Sequence, residues 1–86
     1  MAKTILIVDD SNTARASVEY TLKKGSYDVI SADDGTTGLE AVNKASNIDM
    51  IITDLNMPKM DGIEFIKNVR KFDKYKYTPI LMLTTE

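Results

Sequence analysis

The chain contains no cysteine, no histidine and no tryptophan. Without cysteine there are no disulfides and no thiolate metal sites, which suits a reducing cytoplasm. Without histidine there is no imidazole for acid–base chemistry and no His-ligated zinc. No apolar run approaches the roughly 20 residues a membrane-spanning helix needs. The N-terminus, MAKTILIVDD, reaches two carboxylates too soon for a signal peptide. A net charge of −2 gives no electrostatic basis for wrapping nucleic acid or an anionic membrane. These exclusions leave a cytoplasmic, soluble domain with no direct nucleic-acid contact and no membrane insertion. With 86 residues, 43% hydrophobic and 28% charged, the chain suits one small globular domain rather than a disordered segment.

The stretch from Asp49 to Gly62, DMIITDLNMPKMDG, organises the rest. Its apolar run, Met50 to Ile52, is too short for a helix. β-Branched content and polar flanks predict a buried strand ending at Asp54. Pro58 fixes its own φ and denies Met57 the helical region, so a loop follows. TILIVDD, Thr4 to Asp10, has the same form: a hydrophobic strand that stops at Asp9 and Asp10. If the two strands are parallel neighbours, three carboxylates converge at one edge. Such a cluster needs a cation, an altered protonation state or water to relieve its repulsion. All-oxygen ligands without His or Cys favour a hard ion, Mg²⁺ before Zn²⁺.

Between these strands the pattern alternates. Ser11 to Thr13 offers N-cap residues, and Ala14, Val18 and Leu22 form a helical stripe ending at Lys23-Lys24-Gly25. Tyr27 to Ala32 reads as a strand, Asp33-Asp34-Gly35 as a turn, and Thr36 to about Ala45 as a helix burying Leu39, Val42 and Ala41. Beyond Gly62, the residues Ile63, Phe65, Ile66, Val69 and Phe72 mark a third helix. Lys71 to Tyr77 reads as a solvated connection, and Met57 and Met60 as packing against the sheet. Pro79 opens a last strand, PILMLT. The order βαβαβαβ calls for right-handed crossovers and a parallel sheet with helices on its faces. The last strand is as apolar as a central one, which predicts self-association through its exposed edge and a domain, residues 1–86, incomplete at its C-terminus.

Taken together, Asp9-Asp10, Asp54, the loop Asn56-Met57-Pro58-Lys59-Met60-Asp61-Gly62, Ala32-Asp33-Asp34-Gly35 and Thr84 resemble one pattern. The chain resembles the receiver domain of bacterial two-component response regulators, most closely the single-domain chemotaxis regulators of the CheY kind. The resemblance implies an α/β, flavodoxin-like (CheY-like), doubly wound parallel sheet, here without the family's last helix, strand and helix. It implies that Asp54 is the phosphoacceptor, taking a phosphoryl group from a histidine kinase. Mg²⁺ would be held by Asp10 directly, by Asp9 mainly through water, by Asp54, and by the backbone carbonyl of Asn56. Thr84 would be the switch hydroxyl, and Asn56 and Glu86 would tune hydrolysis of the acyl phosphate. Downstream partners would be a flagellar motor protein or another output protein. The family's later Lys, which pairs with the phosphoryl oxygens, has no counterpart, and Lys59 lies in the wrong loop to replace it.

Other readings differ in chemistry. A non-phosphorylated binding or dimerisation module would keep the fold and assemble regardless of Mg²⁺ or phosphodonor. An aspartyl-phosphate phosphohydrolase would need a second acid as proton donor two residues after Asp54, where Asn56 stands. A flavin or dinucleotide site would need glycines after the first strand, where Asp-Asp-Ser-Asn stands instead.

Overall fold

In the computed structural model of the protein the described residues are 2–83. Four strands, β1 (Thr4–Val8), β2 (Asp28–Ala32), β3 (Met50–Asp54) and β4 (Ile80–Leu83), alternate with α1 (Asn12–Lys24), α2 (Gly35–Lys44) and α3 (Gly62–Val69). All strand pairs are parallel, in the order β2-β1-β3-β4. The order reverses direction at β1. Right-handed crossovers therefore put α1 on one face of the sheet and α2 with α3 on the other. This is the expected doubly wound α/β sheet.

The α2–α3 face carries the core. Leu6 and Val8 of β1 and Ile51 of β3 alternate onto it, and Val42, Phe65, Val69 and Met57 pack with them in one buried cluster. The opposite face is only half covered. Ile5, Ile7 and Ile52 are buried there, but α1 lies mainly against β1 and β2 and contributes no fully buried residue. Ala14, Val18 and Leu22 form a half-buried stripe. Beyond it Leu81, in register with Ile52, stays 46% exposed.

One apolar residue of α3 lies outside the core, and one expectation about exposure is corrected. Ile63 is 46% exposed, not part of the core stripe. At about 100° per residue it lies roughly 160° around α3 from Phe65 and roughly 120° from Val69, which own the buried side. Tyr75, expected in a solvated connection, is 2% exposed. A 3₁₀ turn over Asp73–Tyr75 brings Phe72 and Tyr75, three residues apart, onto the same side. Arg70 holds that turn: its Nη1 donates to the carbonyls of Tyr75 (3.0 Å), Lys76 (3.2 Å) and Thr78 (2.6 Å). Burial pushes the Tyr75 phenol above its ordinary pKa. Leu39 and Ala41 are partly buried, while Met57 and Met60 pack inward as expected.

Candidate functional site

β1 and β3 run side by side with Val8 opposite Thr53. The next residue on each strand is therefore Asp9 and Asp54, delivered at equal height to the same rim. Asp10 follows from the β1–α1 turn. One carboxylate oxygen from each of Asp9, Asp10 and Asp54 lies within 4.8 Å of the others. The sequence places these acids on one edge, and the structure brings all three together.

Their surroundings differ. Asp10 is exposed. Asp9 is 6% exposed; its Oδ1 accepts from the Ser11 amide at 2.9 Å, and its own amide donates to Ala32 O at 3.1 Å. Asp54 is 5% exposed, and its Oδ1 is buried with no hydrogen-bond partner among the described residues. At 4.8 Å and an effective dielectric near 20, each pair of charges repels by roughly 3 kcal/mol. A buried, unpartnered carboxylate oxygen facing two further carboxylates is costly unless a cation completes it. The donor set is all oxygen, and a 4.8 Å span leaves room for an ion that retains part of its water. The residues fit Mg²⁺.

The backbone behind Asp54 is packed without slack. A Cβ on Gly62 would sit 2.4 Å from the Asp54 carbonyl oxygen and 3.0 Å from the Leu55 Cα. Gly62 thus serves a close approach, not a left-handed conformation. Its amide donates to Leu55 O at 2.9 Å, closing the β3–α3 loop, and Thr53 Oγ1 donates to the Asp54 carbonyl at 3.0 Å.

Within that loop Lys59 has a φ of 70°, and the Met60 amide donates to Pro58 O at 2.7 Å, a tight γ-turn. The loop leans on the start of α2. Met60 fills the space beside Gly35, where a Cβ would come within 2.9 Å of its side chain, and Lys59 Nζ lies 3.8 Å from Asp34 Oδ2.

The remaining acids are structural. Asp34 caps α2 by accepting from the Thr37 amide at 2.8 Å, in a reciprocal pair with the Thr37 hydroxyl. That amide bond, with a smaller contribution from Lys59, lowers the Asp34 pKa. Asp33 accepts from Thr37 Oγ1 at 2.9 Å, and Asp61 caps α3 through the Glu64 amide at 2.9 Å. The sequence reads all three as turn formers; two are specifically N-caps. Asn56 is exposed, two residues beyond Asp54. Thr84 and Glu86 lie outside the described residues.

Sequence reasoning misses Arg15. From the first turns of α1 its Nη1 donates to the Asp9 carbonyl at 2.6 Å, and its Nη2 to Asn12 Oδ1 at 2.6 Å. A side chain that grips a backbone carbonyl leaves no residue pattern to find. It also misses Ser11 as the partner of Asp9, since Ser11 reads simply as the α1 N-cap, which it also is, accepting from the Ala14 amide at 3.2 Å.

Comparison with known proteins gives this rim a context. The profile of the response regulator receiver domain matches residues 5–86. A chemotaxis protein CheY homolog of Campylobacter jejuni is 42% identical over 83 residues, covering 95% of this chain and 64% of its own length. The chain therefore spans somewhat less than two thirds of that relative. The solved structure of Vibrio cholerae CheY4 superposes with a TM-score of 0.95 at 49% identity, over 100% of this chain and 71% of its own. The response regulator TrrA of Thermotoga maritima, solved in complex with Mg²⁺ and BeF, gives a TM-score of 0.88 at 32% identity, over 98% and 70% of the two chains. The chain belongs to the response regulator receiver domain family, and the relatives it is similar to include chemotaxis proteins of the CheY kind. Receiver domains are signalling modules that bind Mg²⁺ in an acidic pocket.

Proposed function

We propose that the chain is a phospho-accepting receiver of a two-component system in chemotaxis, with Asp54 as the phosphoacceptor. The observation that carries this reading is the Asp54 carboxylate set among Asp9 and Asp10, with its buried Oδ1 lacking a hydrogen-bond partner among the described residues. The Asp54 carboxylate attacks the phosphorus of a histidine kinase's phosphohistidine; the P–N bond breaks and an acyl phosphate forms. Asp10, Asp9, Asp54 and the Asn56 carbonyl would hold Mg²⁺, Asp10 directly and Asp9 mainly through water. Mg²⁺, when bound, supplies charge neutralisation for the phosphoryl oxygens. Phosphoryl transfer of this kind asks for positioning rather than a base, so the absence of histidine is no obstacle.

Thr84 is the hydroxyl that reads the new phosphoryl group, and Asn56 and Glu86 set how fast it hydrolyses. Output passes to a flagellar motor protein or another output protein in the cytoplasm. Catalysis of other substrates is not part of this reading, because Asn56 stands where a phosphohydrolase would place its proton donor. The test is a small-molecule phosphodonor with Mg²⁺ and intact mass measurement. A gain of one phosphoryl group, lost in Asp54→Asn, is expected; a folded chain that gains none overturns the proposal.

One observation favours a second reading, a self-associating module. The β4 edge strand carries the exposed Leu81 on the half-covered face. Sedimentation across concentration separates the two: assembly unaffected by Mg²⁺ and phosphodonor supports the module.

A further inference from the structure

We infer that Arg15 is a positioning residue of the carboxylate site, acting through the backbone of the β1–α1 turn and not through its charge. This rests on the metal-binding reading above. The Asp9 carbonyl lies just past the end of β1, at the turn that carries both acids. It accepts a 2.6 Å bond from Arg15 Nη1 in a partly buried setting. Carbonyl C, O and the Asp10 nitrogen share one planar peptide unit. Holding the Asp9 oxygen therefore fixes the plane from which Asp10 departs toward the cluster.

The second arm of the fork ties down Asn12 at 2.6 Å, on the far side of the same turn. The Ser11 amide meanwhile donates to Asp9 Oδ1 at 2.9 Å, and the Arg15 amide to Ser11 O at 2.9 Å. One rigid, planar cation thus spans the turn from its first residue to the start of α1. A lysine can carry the charge but lacks the flat fork whose two nitrogens meet the two acceptors separately.

Charge and geometry make opposite forecasts, which makes the inference testable. If Arg15 acted only as a nearby positive charge, its removal would tighten binding of a divalent cation, and Arg15→Lys would change nothing. If it positions the turn, both Arg15→Lys and Arg15→Met weaken Mg²⁺ binding. The expected loss is about tenfold, the low end of effects seen when a group supporting a metal ligand is removed.

Mg²⁺ titration calorimetry on the parent and both variants reads this directly. Amide exchange at Asp10, Ser11 and Asn12 without metal is the second readout, expected to quicken in both variants relative to amides in β1. Weakened binding in both variants with faster exchange in the turn supports the inference. Parent-like affinity in Arg15→Lys, or tighter binding in Arg15→Met, overturns it while leaving the metal reading intact. A parent chain that binds no Mg²⁺ overturns the metal reading and this inference together.

Discussion

Two aspartates bracket the same strand and live opposite lives. Asp49 stands immediately before β3 and Asp54 ends it. Asp49 Oδ2 accepts from the Thr4 amide at 2.8 Å and Oδ1 from Asn47 Nδ2 at 3.0 Å, tying the entrance of β3 to that of β1. Those bonds, the Thr4 amide foremost, lower its pKa. Asp54 is more deeply buried, yet one oxygen has no partner among the described residues and two further acids lie beside it. One residue type, separated by a single strand length, is satisfied at one rim and left open at the other. A carboxylate that the fold itself completes serves stability; one the fold leaves incomplete is a candidate site for something that arrives from outside.

The contrast can be broken experimentally. The largest effect is expected behind Asp54. Gly62→Ala forces a methyl against the Asp54 carbonyl and should destabilise the chain by about 3 kcal/mol, the upper part of the overpacking range, in denaturant unfolding. Next, the two aspartates should respond with opposite sign. Without Mg²⁺, Asp54→Asn removes one of three mutually repelling charges and should raise stability by roughly 1–2 kcal/mol, a fraction of the pairwise repulsion. Asp49→Ala orphans the Thr4 amide and should lower the thermal midpoint while leaving Mg²⁺ affinity unchanged. Parallel shifts in the two variants would erase the distinction.

Acid sharpens the same point. The folded-state pKa values of Asp34 and Asp49 are lowered, each chiefly by a backbone amide, so the unfolded chain takes up protons first. Their contribution to stability is fully present above the ordinary carboxylate pKa, near 4, and is lost as pH falls through the lower folded values. The unfolding midpoint should therefore hold from neutral pH to about pH 5 and decline below about pH 4. Asp49→Ala should make that decline shallower. The smallest effect is expected at Lys59, whose φ of 70° strains a side-chain-bearing residue. Lys59→Gly should raise stability by about 0.5–1 kcal/mol in the same unfolding assay.

Much of this site is legible in the sequence, for a simple reason. β1 and β3 are short apolar runs that each stop at an acid, and parallel pairing of equal strands puts both stops at one rim. The fold follows from alternation, because each helix shows its apolar spacing between two such strands. What escapes is anything that depends on distance through space without a side-chain pattern. Gly62 reads as a loop glycine, yet its requirement is the 2.4 Å approach to Asp54. Tyr75 sits in a stretch of Lys and Asp, and only the 3₁₀ turn turns it inward. Ile63 has the right hydrophobicity at the wrong angle. Arg15 bonds to a carbonyl, which every residue possesses, so nothing in the letters marks its partner.

The tight seating of Asp54 has a directional consequence. Its carbonyl meets Gly62 on one side and the Thr53 hydroxyl on another, and the next amide, Leu55 N, is held by Leu83 O at 3.1 Å. The backbone that carries this side chain has no room to shift toward the interior. An adjustment around this side chain would therefore fall at the solvent rim, in the turns on either side.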